Sequence, residues 1–173
     1  AVDPAAWAEA VARVKPGIVF FTHSETSTGS LNDVRALAKA AREAGALVVV
    51  DGVTSLGVHE LRQDRDGIDV AVGGSQKGLM LPPGLALIGV GPRALERLEA
   101  GGAGAAFYLD LARAAAAAKQ ADTPFTPIDP TTARFAMLTR VSEPSSTIDM
   151  RRMRSSSPGK RLRTSAKWMS LIS

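Results

Sequence analysis

The sequence predicts an α/β fold with a mostly parallel sheet and flanking helices. Continuous apolar runs at residues 18–21, 46–50, 68–72 and 85–90 are typical of buried strands. The runs do not alternate with polar residues, which indicates a parallel sheet covered on both faces. A stretch of helical periodicity separates the first two runs, so residues 18–50 match one βαβ unit.

Four segments with helical patterns connect or flank the predicted strands. Residues 5–14 are predicted to form a helix after Asp3-Pro4, and Lys15-Pro16-Gly17 ends it. A second helix is predicted to begin near Ser30, because Asp33 follows three residues later, and Gly45 closes it. Two further helices are expected at residues 91–100 and 108–119.

The basic charge of the chain is concentrated in its last 47 residues. Residues 1–126 hold 12 Lys/Arg against 14 Asp/Glu, whereas residues 127–173 hold 9 against 3. The later segment also contains nine serines and little hydrophobic periodicity, a composition that favours disorder. We therefore predict a structured region at residues 1–127 and an irregular, basic tail at residues 128–173. The predominantly acidic body argues against nucleic acid as a partner.

Composition excludes several other classes of site. The chain has no cysteine, which removes disulfides, thiolate metal sites and cysteine nucleophiles. No apolar run approaches the roughly 18 residues that a membrane span requires, and no signal peptide opens the sequence. We expect no membrane partner and a cytoplasmic location.

The segment Val72-Gly-Gly-Ser-Gln-Lys-Gly78 places one lysine directly after a predicted buried strand. Ligands of open α/β sheets bind at that carboxyl edge, and a desolvated lysine there is a candidate for Schiff-base chemistry. Two neighbouring strand ends carry polar groups, the 23–29 loop and Asp51. An aspartate facing a pyridinium nitrogen strengthens the ring as an electron sink, and Thr26 and Gln76 could hydrogen-bond around it.

Simpler interpretations compete for the same residues. Lys77 could be a solvated turn lysine, and Asp51 could be a cap or turn residue. His23-x-Glu25 is a weak metal signal without a third ligand nearby. Neither a G-x-S-x-G nucleophile turn nor a Walker loop is present.

Three motifs together resemble the class V pyridoxal-phosphate-dependent aminotransferases, in particular the serine–glyoxylate and alanine–glyoxylate enzymes. The motifs are His23-Ser-Glu-Thr-Ser-Thr-Gly29, Asp51-Gly-Val-Thr-Ser-Leu-Gly57 and Gly74-Ser-Gln-Lys-Gly-Leu-Met-Leu-Pro-Pro-Gly84. The resemblance covers roughly residues 10–127 and implies part of a fold-type-I large domain. It also implies a homodimer acting on an amino acid and a 2-oxo acid such as glyoxylate or pyruvate.

The resemblance assigns a role to each matching residue. Lys77 would form the Schiff base with pyridoxal 5′-phosphate and shuttle the proton. Asp51 would pair with the pyridine nitrogen, and Val53 would pack on the ring face. Thr26 and Gln76 would hydrogen-bond near the ring hydroxyl or the phosphate. Thr126 would reach the phosphate of the neighbouring subunit's cofactor.

The chain departs from the family pattern in two respects. The family's N-terminal third, with its phosphate-binding turn, and its small domain, with a carboxylate-binding arginine, have no counterpart in this sequence. After Pro127 the resemblance ends, so a truncated gene or a shifted reading frame is our hypothesis for residues 128–173, and we expect weak cofactor binding.

Two alternative functions stay open at the level of sequence. One is another class V reaction, such as that of a lyase or desulfurase, although desulfurases place a histidine where this chain has Gln76 and use a cysteine. The other is a non-catalytic chain whose basic tail binds an acidic partner.

Overall fold

The computed structural model describes residues 1–101, 109–119 and 134–139. All of them belong to one compact unit, Ala1–Ser142, and the second unit, Glu143–Ser173, lies outside the described residues. Within the described ranges, no helix combines the length and the apolar character that crossing a membrane requires.

The described residues of this unit are organised around a five-stranded sheet. The strands are, in chain order, β1 Ile18–Thr22, β2 Ser24–Glu25, β3 Ser30–Leu31, β4 Leu47–Asp51, β5 Val70–Gly74, β6 Leu85–Val90 and β7 Arg134–Thr139. The large sheet has the spatial order β1-β4-β5-β6-β7, and β2 pairs with β3 in a separate small ribbon. Every neighbouring pair in the large sheet is parallel except β5–β6. The predicted mostly parallel sheet is confirmed.

The third strand lies two residues further along the chain than the apolar run indicates. Ile68 completes the preceding turn, because its N–H donates to the Gln63 carbonyl at 2.9 Å. At the other end, Gly73 and Gly74 continue the ladder opposite β6. The shift brings the strand's carboxyl end to within three residues of Lys77.

Helices flank the sheet as predicted: α1 Pro4–Val14, α2 Val34–Glu43, α3 Pro92–Glu99 and α4 Leu111–Lys119. The Asp3 carboxylate caps α1 by accepting from the Ala5 N–H, and α1 ends where Lys15 adopts a left-handed φ of 50°. Both boundaries agree with the sequence signals.

Aspartate side chains cap the starts of α2 and α4. Asp33 caps α2 by accepting from the Ala36 N–H at 3.0 Å, whereas Ser30 belongs to β3. The expected start near Ser30 is therefore wrong, because the nearer side chain supplies the cap. The Asp110 carboxylate accepts from the Ala112 and Arg113 N–H groups, which accounts for a start at Leu111. The predicted start of this helix at residue 108 lies outside the described residues.

The core lies between one face of the sheet and helices α1 and α2. Val19, Val48 and Val50 point to this face and belong to one buried cluster with Val34 and Ala38 of α2. On the opposite face of β1, Phe20 is 72% exposed. The packing anchors β1 and β4 firmly, and their ends position the polar loops described below.

A buried carboxylate joins the sheet to two helices. Asp69 is 2% exposed, and its Oδ2 accepts from the Val48 N–H at 2.8 Å. Arg42 of α2 lies 3.0 Å from Oδ1, and Arg93 of α3 lies 3.1 Å from Oδ2. The two guanidinium groups compensate a charge that would be strongly unfavourable alone in the core.

Strand β7 lies within the segment for which composition predicts an irregular tail. It runs parallel to β6, with Arg134 opposite Leu85 and Thr139 opposite Val90. The apolar letters Phe-Ala-Met-Leu within it are a strand signal that the surrounding serines and arginines obscure. The other residues of 128–173 lie outside the described part of the chain, and the division at residue 127 stays a prediction.

Candidate active site

Three polar segments meet at the carboxyl edge of the sheet. In the parallel register, Thr22 of β1 lies beside Asp51 of β4, and Asp51 lies beside Val72 of β5. The 23–29 loop, the turn after Asp51 and the turn bearing Lys77 therefore leave the same edge. Open α/β sheets bind their ligands at such an edge.

Asp51 presents a carboxylate to solvent at this edge. Its Oδ1 accepts from the Val53 N–H at 2.9 Å, which fixes the side chain in a short turn of the Asx type. Its backbone carbonyl accepts from the His23 N–H at 2.9 Å. Among the residues that the structure describes, none donates a hydrogen bond to Oδ2, so this oxygen can accept a hydrogen bond from a protonated ring nitrogen.

Val53 and Gln76 lie side by side next to Gly74. A Cβ atom placed on Gly74 would lie 3.3 Å from Val53 Cγ1 and 3.2 Å from Gln76 Oε1. The missing side chain thus leaves room for the two residues to flank the end of β5. The Val53 methyl group, the Gln76 amide and the Asp51 carboxylate together suit a flat ring with polar groups at its edge.

Lys77 follows at the same edge, in a turn stabilised by backbone hydrogen bonds. The Met80 N–H donates to the Lys77 carbonyl at 2.9 Å, and the Leu81 N–H donates to the Ser75 carbonyl at 3.0 Å. The Lys77 side chain is exposed, so the expected desolvation of its amine is wrong for the chain as described. The desolvation was inferred from the neighbouring residues in the sequence, whereas the exposure of a turn residue depends on which distant parts of the fold cover it.

Close packing of glycines joins the Lys77 turn to the Asp51 turn. A Cβ atom on Gly78 would collide with the Leu56 carbonyl oxygen and would lie 2.5 Å from Val58 Cγ2. A Cβ atom on Gly73 would lie 2.5 Å from Leu56 Cδ2. Leu56 therefore rests directly on the glycine-rich strand end, and the two turns form one packed unit.

The 23–29 loop reaches the Asp51 turn through a pair of threonines. Thr26 Oγ1 and Thr54 Oγ1 are 2.7 Å apart. Next to Thr26, hydrogen bonds from the backbone and the hydroxyl of Ser27 lower the pKa of Glu25. The structure thus brings Thr26 to the segment that carries Asp51 and Val53.

Ser75 is a residue of this site that sequence reasoning missed. It is fully buried, its hydroxyl donates to the Pro82 carbonyl at 2.7 Å, and the Leu85 N–H donates to that hydroxyl at 3.3 Å. The serine closes the loop of residues 76–84 at its base. The sequence signal that could have identified Ser75 is its position between Gly73-Gly74 and Lys77, where it is a small polar residue.

Sequence reasoning also missed the contact between the rings of His23 and His59. His23 is 5% exposed, and its Nδ1 has no hydrogen-bond partner among the residues that the structure describes. Its ring lies edge-on to His59, with centroids 6.0 Å apart. Burial lowers the pKa of His23, His59 lowers it further, and Asp66 opposes the shift. Within the described part of the chain, no group of three His, Cys, Asp or Glu residues is arranged to hold a metal ion.

One predicted site residue cannot be placed. Thr126, assigned to the phosphate of a neighbouring subunit's cofactor, lies outside the described residues.

Comparison with known families identifies the architecture. The family model described as aminotransferase class-V matches residues 2–162. The chain belongs to the class V aminotransferase family. The matched range extends beyond residue 127, where the motif resemblance ends, and includes β7.

Relatives of known sequence also match this chain. The 42 kDa subunit of the soluble hydrogenase of Anabaena cylindrica is 46% identical over 110 residues, which are 63% of this chain and 28% of that protein. The L-aspartate–glyoxylate aminotransferase of Paracoccus denitrificans is 50% identical over 84 residues, 47% of this chain and 21% of that protein. The chain thus spans between a fifth and a third of the length of these relatives.

A solved structure shows the same fold. The aspartate aminotransferase of subgroup IV from Thermus thermophilus superimposes with a TM-score of 0.60 at 43% identity, over 70% of this chain and 34% of that one. The expected partial fold-type-I large domain is confirmed.

Proposed function

We propose that this chain carries the cofactor-binding edge of a pyridoxal-phosphate-dependent aminotransferase. The reaction is the transfer of an amino group from serine or alanine to glyoxylate or pyruvate. The single observation that supports it best is the parallel register of β1, β4 and β5, which directs Asp51, the 23–29 loop and the Lys77 turn to one edge. Family membership and the glyoxylate aminotransferases among the relatives support the substrate class.

Bound pyridoxal phosphate supplies an aldehyde that combines with amines and a ring that withdraws electrons from the neighbouring carbon. Asp51 Oδ2 would accept a hydrogen bond from the ring N–H, and a carboxylate there would favour the protonated nitrogen. Val53 would give one ring face an apolar contact. Thr26 and Gln76 would donate hydrogen bonds to the oxygen substituents of the cofactor.

Lys77 Nζ would be the amine that holds the cofactor through its aldehyde, and it would be the group that moves a proton at the substrate Cα. Its turn packs against the Asp51 turn through Gly78, so the two turns are in direct contact. An exposed amine at this position is accessible to the aldehyde. In the assembled enzyme, we propose a homodimer in which Thr126 serves the partner's site.

Amino-group transfer measured with matched lysine variants tests this function. The purified chain is mixed with pyridoxal phosphate, serine or alanine, and glyoxylate or pyruvate, and the new amino acid is quantified. Lys39 is also exposed and lies on α2, so Lys39→Ala is the control for Lys77→Ala. We expect weak cofactor binding, slow transfer and an absorbance band that depends on a lysine–cofactor bond in the wild type and in Lys39→Ala only. Equal signals from Lys77→Ala would rule out the assigned role of Lys77.

A carboxylate comparison tests the role of Asp51 separately. Asp51→Asn keeps an oxygen that can accept from the Val53 N–H but loses the charge. We expect weaker cofactor binding and slower transfer in this variant. Unchanged binding and transfer would contradict the pairing with the ring nitrogen.

A further inference from the structure

We propose that His23 is a positioning residue whose neutral ring holds the 23–29 loop against the 51–59 turn, and whose protonation shifts both segments. The two segments carry Thr26, Asp51 and Val53. The hydrogen bond between His23 and Asp51 joins backbone atoms, so His23 acts on the cofactor-binding side chains through the backbone of its neighbours.

The backbone of His23 joins the loop to the end of the sheet. Its N–H donates to the Asp51 carbonyl at 2.9 Å, and its carbonyl accepts from the Asn32 N–H at 2.8 Å. The Asn32 side chain in turn donates to the Thr22 carbonyl at 2.7 Å. A movement of His23 is therefore transmitted to Asp51 on one side and to the base of the 23–29 loop on the other.

The ring of His23 is placed where an added charge is unfavourable. It is 5% exposed, and Nδ1 is buried without a hydrogen-bond partner among the described residues. The His59 ring lies edge-on at 6.0 Å and follows directly from the Asp51 turn, where the His59 N–H donates to the Ser55 carbonyl. A proton on Nδ1 would need a hydrogen-bond acceptor that the present packing does not supply.

The charged groups around the ring determine the direction of the pH effect. His59 faces it from the turn after β4, and Asp66 faces it from the 62–67 turn. Asp66 is already hydrogen-bonded to Arg65 and also feels the charge of Arg35 on α2, which weakens its ability to compensate a proton on His23. Burial and His59 together lower the pKa of His23 below its ordinary value of 6.5.

Because the pKa of His23 is lowered in the folded chain, protonation of His23 destabilises the fold. The unfolded chain binds a proton at His23 more readily than the folded chain does, so the stabilising packing is complete above pH 6.5. It is lost progressively as the pH falls from 6.5 toward the lower pKa of the folded state. The effect on the cofactor rests on the proposed function, whereas the movement of the two segments does not.

Nuclear magnetic resonance of the full chain without cofactor tests the movement directly. The His23 ring nitrogens and the backbone amides of Thr26 and Val53 are followed as the pH is lowered. We expect both amides to shift with the midpoint of the His23 ring. A His23 ring that titrates while both amides stay still would overturn the proposal.

Two variants make the test specific. His23→Gln cannot titrate in this range, so the pH-dependent amide shifts should vanish while the far-ultraviolet circular dichroism stays native. His59→Gln leaves His23 in place and removes a neighbour that disfavours its proton, so the ring midpoint and the amide midpoints should rise together. If His23→Gln does not fold, His59→Gln alone decides. Midpoints that separate would refute the coupling.

A binding measurement connects the movement to the cofactor. The dissociation constant of pyridoxal phosphate is measured at about pH 7.5 and 5.5, on either side of the ordinary titration of histidine. The ionisations of the cofactor itself cancel in a comparison of wild type with His23→Gln. We expect the low-pH loss of affinity to be about threefold larger in the wild type, as partial protonation of one coupled group produces. Equal losses of affinity in the wild type and in His23→Gln would disprove the effect on cofactor binding. If neither protein bound pyridoxal phosphate, the proposed function would be refuted, but the amide test of the movement would still be valid.

Discussion

Replacing Gly78 by alanine should separate the two turns that form the candidate site. The new Cβ would meet the Leu56 carbonyl oxygen and would lie 2.5 Å from Val58 Cγ2. Carbon atoms pack at about 3.5–4.0 Å, so the Lys77 turn has to move by roughly 1 Å. A backbone carbonyl cannot rotate away as a side-chain end can, and such overpacking destabilises by about 1–3 kcal/mol.

The chain offers a matched control at Gly17. Within the described part of the chain, no heavy atom lies within 4 Å of a Cβ placed there, and its φ is not positive. Gly17→Ala should be neutral or should stabilise by up to about 1 kcal/mol, because alanine restricts the unfolded chain.

Urea unfolding followed by circular dichroism gives the free energies of the wild type and of both alanine variants. Pyridoxal phosphate affinity should fall in Gly78→Ala under conditions where that variant is still folded, and it should be unchanged in Gly17→Ala. If Gly78→Ala were as stable as Gly17→Ala and bound the cofactor normally, the packed contact between the two turns would be refuted.

Three further predictions follow from particular contacts. Asp69→Asn should lower the free energy of unfolding by about 2–3 kcal/mol, since two partly exposed arginines lose a buried carboxylate partner; denaturant titration measures this, and a loss below the experimental error would contradict it. Thr26→Val, Thr54→Val and the double variant should give a coupling energy of about 0.5–1 kcal/mol in a double-mutant cycle, whereas additive effects would show that the hydroxyl contact contributes nothing. Burial raises the pKa of Asp66, but hydrogen bonds from Arg65 and from the Arg62 backbone outweigh burial and lower the pKa overall. The ionised carboxylate therefore stabilises the fold above its ordinary pKa of 3.8, and this stabilisation is lost as the pH falls below that value. Asp66→Asn should weaken the pH dependence of acid unfolding, and an unchanged pH profile would contradict the stabilising role of Asp66.

The elements of this fold with strong local signals were predictable from sequence. Continuous valine-rich runs indicate buried strands wherever they occur, and Asp3 with Pro4 marks a helix start through contacts within one turn. The meeting of Asp51, the 23–29 loop and Lys77 followed from one general rule, that parallel strands open their carboxyl ends on one edge.

Features that depend on distant contacts were not predictable. The burial of Asp69 needs Arg42 and Arg93 from two separate helices, and no local pattern announces that meeting. The hydrogen bonds of the Ser75 hydroxyl depend on Pro82 and Leu85, which lie seven and ten residues further along the chain. The exposure of Lys77 depends on what covers the turn, which a heptapeptide cannot specify.

Locating the covalent attachment of the cofactor tests the central claim most directly. The chain is incubated with pyridoxal phosphate, reduced with borohydride and digested, and mass spectrometry locates the pyridoxyl group among its six lysines. The proposed site predicts that Lys77 carries the label at the lowest cofactor concentration that labels the chain, and that Asp51→Asn weakens its labelling. Labelling spread evenly over the six lysines, or concentrated on one other than Lys77, would contradict an active site at this edge of the sheet.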